Sequence, residues 1–154
     1  MTITVSRVPP NHADFAALVR LLDEEFFSIY GDLYLNYRPH NAAEDLALAA
    51  VAYGDRVPAA CGGIKPLSAD TAELKRMFVK PDYRRQGLAR RVVLELEAAA
   101  CEKGFSRMTL ETGADMAAAI ALYQSLGYSF TKNYGPYAGD NACVCMTKTL
   151  IHEL

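Results

Sequence analysis

The residues best suited by type and spacing to do chemistry lie between Glu73 and Ala100, in the run ELKRMFVKPDYRRQGLARRVVLELEAAA. Seven of the 16 Lys and Arg residues (Lys75, Arg76, Lys80, Arg84, Arg85, Arg90 and Arg91) fall between positions 75 and 91, with Asp82 as the one acid there. In a chain of net charge −2 this is a local positive field. Gly87 and Ala89 are small enough to let a ligand approach the backbone. They stand where a helix would begin, so the free N–H groups of its first turn point outward with the positive end of the helix dipole behind them. Arg84, Arg85, Gln86, Gly87, Leu88 and Ala89 therefore form a candidate anion site. The plainer reading is a solvated helix start with ordinary surface arginines.

The elements that position this loop can be read on either side of it. Leu74, Met77 and Val79 belong to a strand that stops at Lys80-Pro81-Asp82, where proline removes a backbone donor. Leu88, Val92, Val93, Leu96 and Ala99 or Ala100 repeat at helical spacing and face a core. Upstream, Thr2 to Val8 reads as a strand. Asn11 can cap a helix whose stripe is Phe15, Leu18, Val19, Leu22 and Phe26, ending near Tyr30-Gly31. Tyr30, Tyr34 and Tyr37 could wall a cleft or cover a core edge. Leu46 to Tyr53 and Val57 to Ile64 read as a hairpin, with Cys61-Gly62-Gly63 marking a bulge or a close approach. A third strand starts at Ala72.

Downstream, Lys103-Gly104 ends the helix. Arg107 to Glu111 should be a strand parallel to the one ending at Val79. Met116 to Leu126 is a helix closed by Gly127. Tyr128 to Thr131 and Ala142 to Leu150 are a last pair of strands, joined by a loop from Asn133 to Asp140 that carries Tyr134 and Tyr137. The order is strand, two helices, three strands, helix, strand, helix, two strands.

A length of 154 residues suits one domain, spanning 1–154, and 51% hydrophobic with 22% charged residues is an ordinary globular composition. No apolar run approaches a membrane span, and no basic leader precedes one, so the chain reads as cytoplasmic without membrane contact. Cys61 and Cys101 stand alone, while Cys143 and Cys145 would share one face of a strand rather than pair. With the three histidines far from them in sequence, no metal site is expected. The lack of a longer basic stripe disfavours nucleic acid.

Arg84-x-x-Gly87-x-Ala89 after a strand with Glu73 near its start resembles the acetyl-CoA pyrophosphate loop of the GNAT superfamily of N-acetyltransferases. Leu122-Tyr123-x-x-x-Gly127-Tyr128 resembles that family's second signature. The resemblance covers roughly residues 45–150. It implies an α/β single-domain fold, with a mixed central sheet of about seven strands, about four helices, and two splayed strands forming the acetyl-CoA cleft.

By position, the resemblance places the pantetheine arm on the backbone around Met77, Phe78 and Val79, and the pyrophosphate on N–H groups from Arg85 to Arg90. It implies that Tyr123 protonates the departing thiolate and that Glu73 is the general base, with Glu111 as its rival. Read alone, Glu73 would be a sheet-edge carboxylate paired with Lys75 or Arg76. The acceptor would be a small-molecule amine, walled by Tyr30, Tyr34 and Tyr37 on one side and Tyr134 and Tyr137 on the other, with Glu73 and Glu111 below. A homodimer is left open. Met116 stands where many family members have an asparagine that contacts the cofactor.

Overall fold

The computed structural model describes residues 1–32 and 45–150. Seven strands form one sheet: β1 (Ile3–Val8), β2 (Leu48–Gly54), β3 (Val57–Pro66), β4 (Thr71–Val79), β5 (Arg107–Gly113), β6 (Ser129–Thr131) and β7 (Cys143–Thr149). Their order across the sheet is β1-β2-β3-β4-β5-β7-β6. Three α-helices lie among the described residues: α1 (Ala13–Tyr30), α2 (Leu88–Glu102) and α3 (Ala117–Ser125). The further helix expected after α1, along with Tyr34 and Tyr37, falls outside the described residues.

Strand periodicity divides the core in two. Ala50, Ala52, Ile64, Leu74, Met108, Leu110 and Met146 face Leu88, Val92, Val93, Leu96 and Ala100 of α2. Their alternates Ala49, Val51, Cys61 and Phe78 face Phe15, Leu18, Val19 and Leu22 of α1. The α1 stripe packs as its spacing requires, but the cap is His12 rather than Asn11. The His12 N–H bonds the Pro9 carbonyl at 3.0 Å, a turn that sets the helix start one residue later. His12 Nδ1 then accepts from the Asp14 N–H at 3.2 Å.

Two irregularities in β4 shape the cleft. Opposite β3, Cys61 pairs with Phe78 and Gly63 with Lys75, so Gly62 faces two residues, Arg76 and Met77. This is a bulge with its extra residue on β4, and Arg76 takes the left-handed conformation with φ 61°. The expected irregularity is present, with the glycine as its accommodating side: a Cβ on Gly62 would overlap Met77 Sδ and crowd Leu96 and Val92. Opposite β5, β4 pairs in parallel for four positions only, Thr71↔Arg107 through Leu74↔Leu110. Beyond them the two strands part. Every other neighbouring strand pair is antiparallel.

Because the space beside Gly62 is filled by side chains of two elements, Gly62→Val should cost about 1–3 kcal/mol of stability, read as a lowered melting temperature.

Candidate active site

Where β4 and β5 part, a cavity of about 800 Å³ opens between them, closed by α1, α3 and the loop before β7. Past the end of β4, a single 3₁₀ turn, Pro81–Tyr83, leads into the loop before α2. Arg85 (φ 63°) and Gly87 (φ 80°) both adopt left-handed backbone. Gly87 is the N-cap of α2, with no side chain capping the helix, and a Cβ there would meet nothing within 4 Å. The open first turn, the helix dipole and the exposed glycine make a cradle that fits a pyrophosphate.

The residues of the loop divide into those that can face a ligand and those that brace it. Arg84 braces: its Nε donates to the Val79 carbonyl at 2.9 Å, its guanidinium pairs with Glu25 of α1 at 2.7 Å, and it lies 5.8 Å from the Phe78 ring centroid. Arg90 donates to Ser125 Oγ at 2.6 Å, tying α2 to α3. The Gln86 amide donates to the Asp82 carbonyl at 3.4 Å. Leu88 and Phe78 are buried in the two cores, so they can offer a ligand only backbone. Met77 lines the cleft, while Arg85 is exposed.

Within the cavity the face of the sheet opposite α2 is polar. Glu73 and Lys75 on β4, Thr109 and Glu111 on β5, and Cys143 and Cys145 on β7 share it by strand alternation and register. Glu73 is not at a sheet edge. It is buried on the central strand, with Oε1 3.3 Å from Lys75 Nζ and Oε2 accepting from the Tyr134 hydroxyl at 2.5 Å. Lys75 also reaches the Tyr137 hydroxyl at 3.3 Å. Burial holds the Lys75 ammonium below its usual pKa, an effect that Glu73 opposes.

Glu111 is half-buried in the cleft wall, and its pKa is pushed up to about 7. Desolvation is the main cause; Lys75 pulls the value down, whereas Glu73 and Asp140 push it further up. Tyr123 of α3 also lines the cleft. Its ring meets Tyr128 edge-on, with centroids 5.9 Å apart, and burial, aided by the Glu111 charge, raises its phenol above the ordinary value.

The cleft thus brings together Glu73, Met77, Glu111, Tyr123, Tyr30 and Tyr137. Burial raises the Tyr30 phenol above its ordinary pKa, and the charge of Asp115, in the turn after β5, adds to the effect. Tyr134 instead lines a smaller cavity of about 150 Å³ on the far side of the Glu73–Lys75 pair. Sequence reasoning passed over several lining residues. Leu22 and Phe26 were legible only as a core stripe, Asp140 only as the end of a loop, and Asp115 carried no signal. Lys75 entered as part of the basic field and as one of two possible partners of Glu73; its two-residue spacing from Glu73 on a strand, which puts both on one face, favours it over Arg76. Met116 accepts a hydrogen bond from Thr112 Oγ1 at 3.7 Å and lines the cleft. Among the described residues no group of three or more His, Cys, Asp or Glu could hold a metal, and no helix is long and apolar enough to cross a membrane.

Comparison with known proteins agrees with this geometry. The "Acetyltransferase (GNAT) family" model matches residues 15–128. The IAA acetyltransferase of Azospirillum brasilense is 33% identical over 96% of this chain and 98% of its own. The [ribosomal protein bS18]-alanine N-acetyltransferase of Escherichia coli is 34% identical over 74% and 70% respectively. The uncharacterized N-acetyltransferase YsnE of Bacillus subtilis is 34% identical over 63% of this chain, and the match spans 65% of YsnE. Among solved structures, a Klebsiella pneumoniae protein assigned as an acyl-CoA N-acyltransferase superposes with a TM-score of 0.80 at 29% identity, covering 97% and 99% of the two chains. The PaiA N-acetyltransferase of Thermoplasma acidophilum, solved with coenzyme A, shares the fold at TM-score 0.74 and 19% identity, covering 97% and 99%. The chain belongs to the GNAT family of acetyltransferases, and is an acyltransferase of that class.

Gly87→Glu places bulk and negative charge in the cradle; its Cβ meets nothing within 4 Å, although φ 80° is strained for any residue but glycine. Acetyl-CoA affinity by calorimetry should fall by at least about tenfold while the chain remains folded by circular dichroism.

Proposed function

We propose that the cleft transfers an acetyl group from acetyl-CoA to the primary amine of a small molecule, with donor and acceptor bound together. The observation that carries this reading is that Glu111 and Tyr123 line the same cavity where β4 and β5 part. One is a carboxyl whose pKa stands near 7, the other a phenol that burial keeps protonated. When bound, acetyl-CoA supplies the activated acetyl thioester. The N–H groups from Arg85 to Arg90 hold the pyrophosphate, and the backbone of Met77 and Val79 orients the pantetheine arm.

Glu111 is the general base. An amine must lose its proton to attack, and a carboxylate with a pKa close to the working pH is suited to take it. Glu73, the first expectation for this role, has both oxygens engaged by Lys75 and Tyr134, so the geometry favours Glu111. The Tyr123 hydroxyl donates its proton to the departing thiolate.

The charge of the cleft supports a cationic acceptor. Glu73, Glu111, Asp115 and Asp140 line it against Lys75 and Arg76. Those two cations are paired, with Glu73 at 3.3 Å and Asp23 at 2.9 Å. An amine approaching this wall meets net negative charge and the rings of Phe26, Tyr30 and Tyr137, both attractive to an ammonium group. A cavity of about 800 Å³ shared with the donor arm favours a small molecule over a peptide. The likeness to the bS18-alanine enzyme supports a peptide amine instead, so the decisive comparison sets polyamines, arylalkylamines, amino acids and aminoglycosides against lysine peptides and an alanine-terminated peptide. Small amines should lead in kcat/KM by at least about tenfold; the reverse order would establish a protein acceptor.

Two variants test the roles. Glu111→Gln should lower kcat by on the order of 10²–10⁴-fold, and in the wild type kcat/KM should rise with pH through about 7 as the carboxyl deprotonates. Tyr123→Phe should lower kcat by on the order of 10²-fold with acetyl-CoA affinity kept, measured with chemistry rate-limiting.

A further inference from the structure

We propose that Glu73 and Lys75 are positioning residues for Glu111: Glu73 holds the Lys75 ammonium away from Glu111, leaving that carboxylate within reach of an acceptor instead of tied into an ion pair. The catalytic meaning of this inference rests on the reading of Glu111 as the base.

Strand register makes the competition unavoidable. Leu74↔Leu110 is the last pair of the β4–β5 ladder, so Lys75 and Glu111 are the next residues on each strand and point to the same face, at the mouth of the cleft. Adjacent opposite charges in a desolvated wall would pair strongly. Lys75 is drawn elsewhere by Glu73 at 3.3 Å and the Tyr137 hydroxyl at 3.3 Å, with its ammonium 6.0 Å from the Tyr137 ring centroid. Glu73 is fixed in turn by Tyr134 at 2.5 Å, and the two tyrosine rings lock edge-on, 5.7 Å apart. The Asn133 amide pins their loop by donating to the carbonyls of Asp140 at 3.0 Å and Cys143 at 3.2 Å. A buried ion pair adds little stability over apolar side chains of the same volume, so stability alone does not account for this one.

The groups that face Glu111 come from every element around it. They are Glu73 and Lys75 on β4, Asp140, Tyr137 and Cys143 at the loop and start of β7, Cys145 on β7, Tyr123 on α3 and Tyr30 on α1. Lys75 is the one cation of that set among the described residues. Neutralising Glu73 removes an anion near Glu111 and releases Lys75 toward it, and both changes favour the charged carboxylate. Removing the Lys75 charge does the opposite.

The test is a carbon-13 NMR titration of the glutamate carboxyls in the ligand-free protein, with the Glu111 resonance assigned by its loss in Glu111→Gln. Glu73→Gln should move the Glu111 midpoint down by roughly one pH unit and Lys75→Met should move it up by a similar amount. The double variant Glu73→Gln/Lys75→Met replaces the pair by neutral side chains of similar size, and its midpoint should return to within about 0.3 unit of the wild type. Opposite shifts establish the device. Single-variant midpoints unchanged within about 0.2 unit, or moved in the same direction, overturn it. If the single variants do not fold, Tyr137→Phe removes the second Lys75 contact and should lower the Glu111 midpoint; a midpoint unmoved within about 0.2 unit, or raised, overturns the device. Should Glu111→Gln retain full turnover, the base assignment fails instead, an outcome separate from the titration.

Discussion

Everything this protein can do at its cleft depends on two strands that start as neighbours and do not stay so. β4 and β5 bond for four positions and then diverge, and an α/β crossover through α2 is what makes them parallel in a sheet that is otherwise antiparallel. The divergence leaves the β4 backbone from Lys75 to Val79 outside the β4–β5 ladder. Backbone polar groups in such a wall need partners, and the Arg84 side chain takes one of them, the Val79 carbonyl. The bulge at Arg76 turns β4 at the same place, made room for by the absent side chain of Gly62.

The split also fixes where polarity is tolerated. On the α2 side the sheet is closed and the residues are Leu74, Leu110, Met108 and Met146. On the other side of the same strands it opens, and the alternates are Glu73, Lys75 and Glu111. Placing three ionisable groups there costs desolvation, offset by tight pairing and by tyrosine hydroxyls. The incomplete part of that compensation is what lifts Glu111 toward neutrality.

Tyr123 is held from behind by a second buried arrangement. Its edge-on partner Tyr128 donates to Glu97 at 2.8 Å. Glu97 also accepts from Lys148 at 2.9 Å, whose ammonium lies 5.7 Å from the Tyr128 ring centroid. One residue each from α2 and β7 thereby orients the ring that packs against Tyr123, and Arg90–Ser125 ties the adjoining helices together.

The strand, loop and helix around Gly87 were legible in the sequence because their signals are local: proline ends the strand, small residues open the loop, and apolar spacing turns the helix. The strand order along the chain, the parallel pair and the cleft it forms followed from the same local signals together with the family signature. Asn11 and His12 lay within the one- or two-residue ambiguity of a helix start, which the turn at Pro9 decided. The choice between Glu73 and Glu111 was beyond such reading. Alternation states which face of a strand a residue occupies, but not what covers that face. The cover for Glu73 is Tyr134, 61 residues away in sequence, and Tyr137 stands 62 residues from Lys75. Whether a carboxylate is bonded or left to titrate depends on contacts between distant segments, so the sequence determined which groups were present and only the tertiary structure decided which of them was occupied.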